Sequence, residues 1–175
     1  MSSSSSRLVI RTDRLQLREL VAADAVFILE LVNEPSWLLH IGDKGVHSVE
    51  DAERYIALGP QTSYEQHGFG LYLVELTETA TSLGICGLLK RETMDYPDLG
   101  FAFLPRHWGQ GYAIESAVAV LEYAKKELRL ERVAAITKVV NASSIRVLEN
   151  LGMKVERRLR LTEDDDELLL FLTPC

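Results

Sequence analysis

The spacing of apolar residues changes several times along this chain, and each change marks an element. Arg14–Leu20 alternates polar and apolar positions, the period of a half-buried strand. From Asp24 the spacing turns helical: Ala25, Ile28, Leu29 and Val32 share one face, and Pro35 closes it. Trp37–Val46, with Gly42 and Gly45, reads as a loop. Ser48 followed by Glu50 and Asp51 has the form of a helix cap with acids in the first turn. Tyr55, Ile56, Leu58 and Tyr64 carry that second helix on, with an interruption at Gly59–Pro60. Gly70–Leu76 and Leu83–Leu89 are two strands joined by a polar turn, a hairpin. Asp98–Leu104 is almost continuously apolar, the mark of a strand buried on both faces. Ile114, Ala117, Val118, Leu121, Ala124 and Leu128 follow the helical period, with Lys125, Lys126 and Arg129 near the C-terminal end.

Arg132–Val140 is a further strand, and Asn141 opens a short helix that Gly152 stops. Met153–Leu161 and Glu167–Leu172 are two last strands around the acidic turn Glu163–Glu167. There is no internal repeat and no interior linker. This order predicts one α/β (α+β) domain over residues 7–175, with a mixed central sheet and about four flanking helices. Met1–Ser6, a serine run, is set apart as a disordered tail.

Composition narrows the function classes. A chain of 175 residues, 47% hydrophobic and 26% charged, can bury a real core in one domain. The formal net charge of −7 argues against a generic nucleic-acid surface. Arg157, Arg158 and Arg160 lie close together but read as the solvated face of a strand. Two cysteines, Cys86 and Cys175, have neither the number nor the spacing of a disulfide framework or a metal site, and the reduced cytoplasm is the simplest compartment. No stretch has the character of a signal peptide or a membrane span.

The most informative segment is Leu99–Ala117: a buried strand, a short loop with two glycines, then an amphipathic helix. That order aims the free N–H groups of a helix N-terminus at whatever sits before the loop, which suits a phosphate. Gly109 and Gly111 would let the backbone approach it closely. The dinucleotide pattern fails because its third glycine position is Ile114, and no Gly-Lys-Ser/Thr tripeptide occurs for a nucleotide-triphosphate loop.

Three stretches, in order, resemble the RimJ/RimL-like branch of the GNAT superfamily of acetyl-CoA-dependent N-acetyltransferases. They are Thr12–Arg18 (Thr-x-Arg-Leu-x-Leu-Arg), Pro105–Glu115, and Asn141–Ser144 continuing to Asn150–Met153. The resemblance covers nearly the whole chain. It implies a sheet splayed at the acetyl-CoA site and a pyrophosphate loop over Trp108, Gly109, Gln110, Gly111, Tyr112 and Ala113. Trp108 then stands where the superfamily pattern has Gln or Arg, as is usual in this branch. A register starting at Arg106 also fits the letters, two residues earlier.

The resemblance further implies that the pantetheine arm pairs like an added strand with the backbone near Phe101 and Phe103, and that the Phe103 N–H polarises the thioester carbonyl. Many relatives carry a proton-donating tyrosine seven residues after the asparagine that matches Asn141; here that position is Leu148. The branch instead keeps a serine, Ser144, assigned to a hydrogen bond with the CoA sulfur, although Ser144 reads equally well as a helix N-cap. Asn141 is assigned to the pantetheine or the loop, against a plain turn residue.

Two acids compete as general base, Asp98 and Glu163, beside a water-relayed or absent base. Trp37 and Tyr64 read as packing residues rather than as the lining of an acceptor pocket, and His40, His47 and His67 as surface or packing residues. The expected activity is transfer of an acetyl group to a primary amine, a protein N-terminus or a small molecule. The alternative is a non-catalytic acyl-CoA-binding sensor. No metal, nucleic acid or membrane partner is expected, and the chain is expected as a monomer or homodimer.

Overall fold

The computed structural model describes residues 5–175. Residues 1–4 of the expected disordered tail lie outside them. Ser6 is fixed: its hydroxyl donates to the Glu19 carbonyl at 2.5 Å and accepts from Arg18 Nη1 at 3.2 Å.

Eight strands form one mixed, open sheet in the order β1-β2-β3-β4-β5-β6-β8-β7. The first five, β1 (Leu8–Arg11), β2 (Leu15–Glu19), β3 (Leu71–Leu76), β4 (Ser82–Leu89) and β5 (Asp98–Phe103), are sequential antiparallel neighbours. The remaining three, β6 (Ala134–Lys138), β7 (Lys154–Leu159) and β8 (Leu168–Leu172), form a second antiparallel group with β8 in the middle. One parallel pair, Asp98 with Ala134, joins the two groups. Beyond it β5 and β6 have no further registered pairs.

Helices cover both faces. α1 (Ala25–Val32), α2 (Pro35–His40) and α3 (Val49–Ile56) pack on one side and α5 (Tyr112–Lys126) and α6 (Ala142–Asn150) on the other, while Tyr64 of α4 (Thr62–His67) packs with the α5 side, stacked on Tyr72. Strand alternation explains the division. Leu99 and Phe103 of β5 pack with Ala117 and Val120 of α5, whereas Ala102 packs with the core that holds Ile28, Trp37 and Ile56. Small residues on the inner face of α5 (Ser116, Ala117, Ala124) bring that helix close to the sheet. Within β4, Gly84 and Gly87 are required by close approach: an added Cβ would lie 2.2 Å from the Ala102 carbonyl oxygen or 2.0 Å from that of Gly70.

Several expectations are revised. β1 was not foreseen; it is a four-residue edge strand, too short to show a period. Pro35 does not close a helix but opens α2 at its first position, where the missing N–H costs nothing. Trp37 therefore sits buried on a helix rather than in a loop, its Nε1 donating to the Gly42 carbonyl at 3.1 Å. Gly59–Pro60 does not interrupt the second helix: α3 runs through a π-helical turn, Ala57–Gln61, into α4, and the wider turn accommodates the proline. β5 is buried at its ends but half-buried over Gly100–Ala102. That is where its neighbour has moved away.

Candidate functional site

The gap between β5 and β6 is the candidate site. Its chemistry follows from the parity of the strand. Leu104 N donates to Leu83 O at 3.0 Å, so even-numbered residues of β5 face β4. Ala134 N donates to Pro97 O at 2.9 Å, so odd-numbered residues face β6. After Asp98 no strand lies on that side, and the N–H groups of Phe101 and Phe103 point into the gap without a strand partner. The Phe103 carbonyl is already engaged, accepting from the Trp108 indole Nε1 at 2.8 Å.

A helix begins at the C-terminal end of each parting strand, so two helix N-termini converge on one mouth. After β5, a 3₁₀ turn (Pro105–His107) leads through Trp108 to Gly109 and Gly111, at φ +75° and +82°. Both glycines occupy the left-handed region that an L side chain resists. Gly111 is the N-cap of α5 and supplies no side-chain cap, so the first-turn N–H groups stay free for an anion. Trp108 is 55% exposed beside the gap. Gln110 is exposed and its side-chain oxygen accepts from the Tyr112 hydroxyl at 3.3 Å, while Ala113 packs on the core under the loop.

A bracing network behind this loop was not visible in the sequence. Arg14, in the β1–β2 turn, donates from Nη1 to the Gln110 carbonyl at 3.0 Å and stacks over the Tyr112 ring at 4.6 Å. Its Nε and Nη2 lie 2.7 and 2.6 Å from Glu115 Oε2. Glu115 Oε1 also accepts from the Thr12 hydroxyl at 2.6 Å and from Arg14 N at 3.2 Å. Thr12, Arg14 and Glu115 each fall within a recognised motif, but no local spacing relates residues about a hundred positions apart.

After β6, Asn141 caps α6: its Oδ1 accepts from Ser144 N at 3.2 Å and from the Ser143 hydroxyl at 3.1 Å. The N-cap reading of Ser144 is thereby corrected, because Asn141 holds that position. The half-buried Ser144 hydroxyl has no hydrogen-bond partner among the described residues. Leu148 is buried in the core.

The two candidate bases sit in opposite surroundings. Asp98, 2% exposed, stands where the strands part, and Arg91 Nε donates to its Oδ1 at 3.2 Å. Burial pushes its carboxyl up to about 6, against the opposing pull of Arg91. Glu163 is exposed on the β7–β8 turn, with no hydrogen bond or ion pair among the described residues. That turn is tied across the structure by Lys138, whose Nζ lies 3.0 Å from Asp166 Oδ2 and donates to the Leu39 carbonyl of α2 at 2.9 Å. Tyr64 is a packing residue as expected: its hydroxyl accepts from Leu20 N and donates to the Leu71 carbonyl. Among the described residues no cluster could hold a metal ion, and no helix is long and apolar enough to cross a membrane.

Comparison with known proteins matches this geometry. The acetyltransferase (GNAT) domain family matches residues 14–154. The uncharacterized protein YkkB of Bacillus subtilis (strain 168) is 30% identical over 152 residues, covering 85% of this chain and 87% of that protein. Among solved structures, an acetyltransferase from Agrobacterium tumefaciens str. C58 superposes with a TM-score of 0.80 at 24% identity, over 100% of this chain and 97% of that one. RimL, a ribosomal L7/L12 alpha-N-protein acetyltransferase solved in complex with coenzyme A, superposes with a TM-score of 0.80 at 17% identity, over 95% and 97%. An open mixed sheet that splits beside a glycine loop, matched over most of its length by one family, makes this chain a member of the GNAT acetyltransferases.

Proposed function

We propose that the protein transfers an acetyl group from acetyl-CoA to a primary amine. One observation carries the reading: an unpaired strand edge, Phe101 to Phe103, leads directly to an uncapped helix N-terminus. A molecule with a peptide-like arm ending in a pyrophosphate matches both in that order, and RimL, of the same fold, is known with coenzyme A. That likeness and the three matching motifs also support placement in the RimJ/RimL-like branch.

Acetyl-CoA supplies a thioester whose acyl carbon accepts the amine as the thiolate leaves. The protein's residues bind, orient and move protons. The loop from Trp108 to Ala113, with Gly109, Gln110, Gly111 and Tyr112 between, presents backbone N–H groups to the pyrophosphate, and the α5 dipole adds to their field. Phe101 and Phe103 align the arm through their gap-facing backbone, leaving the Phe103 N–H to polarise the thioester oxygen. Such a donor contributes about 10²–10³ in rate. Asn141 spends its oxygen on capping α6, which leaves its amide N–H₂ for the arm. Ser144 offers its free hydroxyl to the sulfur.

The base is constrained by distance. Asp98 and Phe103 lie five residues apart on one strand, roughly 17 Å. With the thioester at Phe103, Asp98 is beyond direct reach and receives the proton through a chain of waters. Its raised carboxyl suits such a terminus near neutral pH. Glu163 is the competing base, on the exposed turn that Lys138 ties to α2. An α-amine, with a pKa of about 8, needs less help from either than a lysine side chain at about 10.4.

The test is release of free CoA thiol from acetyl-CoA on addition of amines: N-terminal peptides, polyamines and amino acids. Turnover with one class identifies the acceptor. Tight acetyl-CoA binding with no turnover on any of them favours the sensor reading, which the loss of the tyrosine at Leu148 also favours. Absence of CoA binding overturns both.

A further inference from the structure

We infer that Arg14 and Glu115 are positioning residues that orient the phosphate-binding loop from the N-terminal hairpin, with Arg14 also neutralising a carboxylate the phosphates would otherwise meet. The inference rests on the loop being a pyrophosphate site.

The first half follows from peptide geometry. The Gln110–Gly111 peptide is a rigid plane whose C=O and N–H point in opposite directions. Arg14 Nη1 holds the Gln110 oxygen at 3.0 Å on the hairpin side. The Gly111 N–H is thereby turned away from the hairpin and toward the mouth, beside the free first-turn N–H groups of α5. A left-handed glycine pair has little stiffness of its own, so an external anchor is what keeps this N–H aimed. Arg14 is itself fixed on three sides: by two contacts to Glu115, by the Tyr112 ring, and by the hairpin backbone whose N–H also binds Glu115.

The second half follows from charge. Glu115 lies in the first turn of α5, close to where a pyrophosphate would bind. Left alone, its carboxylate would repel that anion. Burial pushes its pKa up, but hydrogen bonds from Thr12 and Arg14 and the nearby Arg14 charge together outweigh that and hold it below the usual carboxylate range, so it stays ionised and Arg14 is its neutralising partner. The guanidinium passes within 3.4 Å of the position a Cβ on Gly111 would take, which places its charge against the loop as well.

The two roles predict an asymmetry that a merely structural ion pair would not show. Removing Arg14 loses both the anchor and the neutralising charge; removing the charge of Glu115 loses only the support behind the anchor. Arg14→Ala should weaken CoA binding about thirtyfold or more, Glu115→Gln about threefold. The double variant Arg14→Ala/Glu115→Gln should recover about threefold or more over Arg14→Ala alone, because the exposed carboxylate is gone.

Isothermal titration of CoA into the full chain reads all four proteins, and thermal unfolding without ligand reports whether each is folded. Should Arg14→Ala fail to fold, Arg14→Lys keeps a charge but lacks the fork; it should bind CoA about tenfold more weakly while melting near the wild type. Equal CoA affinity in the wild type and the folded Arg14 variant overturns the inference and leaves the cofactor reading intact. A double variant weaker than Arg14→Ala also overturns it, by making the pair structural. A wild type that does not bind CoA overturns the cofactor reading on which the inference stands.

Discussion

The two sides of the β5–β6 gap are built from different materials. On the proposed donor side the presented groups are backbone: the N–H groups of Phe101 and Phe103, the first turn of α5, and a loop whose two glycines hold positive φ. The loop is fixed from behind by Arg14. On the opposite side, α2, the segment 41–47 and the β7–β8 turn present side chains. Leu38, Leu39 and Ile41 are exposed there, as is the whole run from Glu163 to Asp166. Backbone recognition demands glycines, caps and strand ends at set spacings, and so fixes one ligand. Side-chain recognition at an exposed rim can be changed residue by residue without disturbing the fold.

The sharpest way to break this comparison is to damage one side and read both. Gly111→Asp forces a Cβ into the left-handed region, at a cost of about 1–2 kcal/mol, and sets a carboxylate among the anion-facing N–H groups. CoA affinity should fall a hundredfold or more by calorimetry, with the unfolding midpoint showing the fold retained. Glu163→Gln, on the other side, should leave CoA affinity unchanged. An Asp variant that still binds within threefold of the wild type would show that the phosphate site lies elsewhere.

Asp98 sits at the hinge between the two sides, and its effect should be read against pH. Burial raises its folded-state pKa to about 6, above the ordinary carboxylate value, despite Arg91. Between about pH 4 and 6 the folded protein therefore holds a proton that the unfolded chain has lost. The group's stabilising contribution is complete below about pH 4 and falls as pH rises through 6, by at most roughly 3 kcal/mol. Asp98→Asn removes this term. The wild type minus variant difference in urea-unfolding free energy should thus shrink from pH 4 to pH 6 and stay level above it. A difference that grows over that window would mean that the Arg91 pairing, not burial, dominates. If Asp98 receives the proton, the same substitution should also erase a limb near pH 6 in the rate profile.

Ser144→Ala tests the donor side more gently. One hydrogen bond to a leaving sulfur is worth about 1 kcal/mol, so kcat should fall about tenfold or less while the Kd for CoA holds. An unchanged kcat removes Ser144 from the mechanism.

How much of this was legible in the sequence follows the same division. The glycine loop, the strand before it and the helix after it could be placed to within a residue or two, because Gly109, Gly111 and the α5 period are local signals. The splay of the sheet came from family resemblance alone, since the single joining pair, Asp98 with Ala134, leaves no mark in either strand. α2 was hidden because Pro35 signals a helix start as readily as a helix end, and its six residues are too few to show a period. The Thr12–Arg14–Glu115 brace and the Lys138 bridge were invisible for a different reason: each links segments about a hundred positions apart, which no local spacing relates.

The Lys138 bridge gives the mildest test and the one that bears most directly on whether the two sides are independent. Its amine meets the Leu39 carbonyl in the last turn of α2 and a highly exposed carboxylate, Asp166, so its contribution to stability is small. Such pairs are worth about 0–1 kcal/mol, which puts the fall in Tm for Lys138→Ala at about 2–4 °C or less. The bridge ties α2 to the acidic turn, the two elements assigned to the proposed acceptor side. The acceptor KM should therefore rise severalfold in Lys138→Ala while the Kd for CoA stays at the wild-type value, as read by thiol release and calorimetry on the same preparation. A shift in the CoA Kd with the acceptor KM unmoved would reverse the assignment of the two sides, because it would place Lys138, at the end of β6, among the groups that hold the donor.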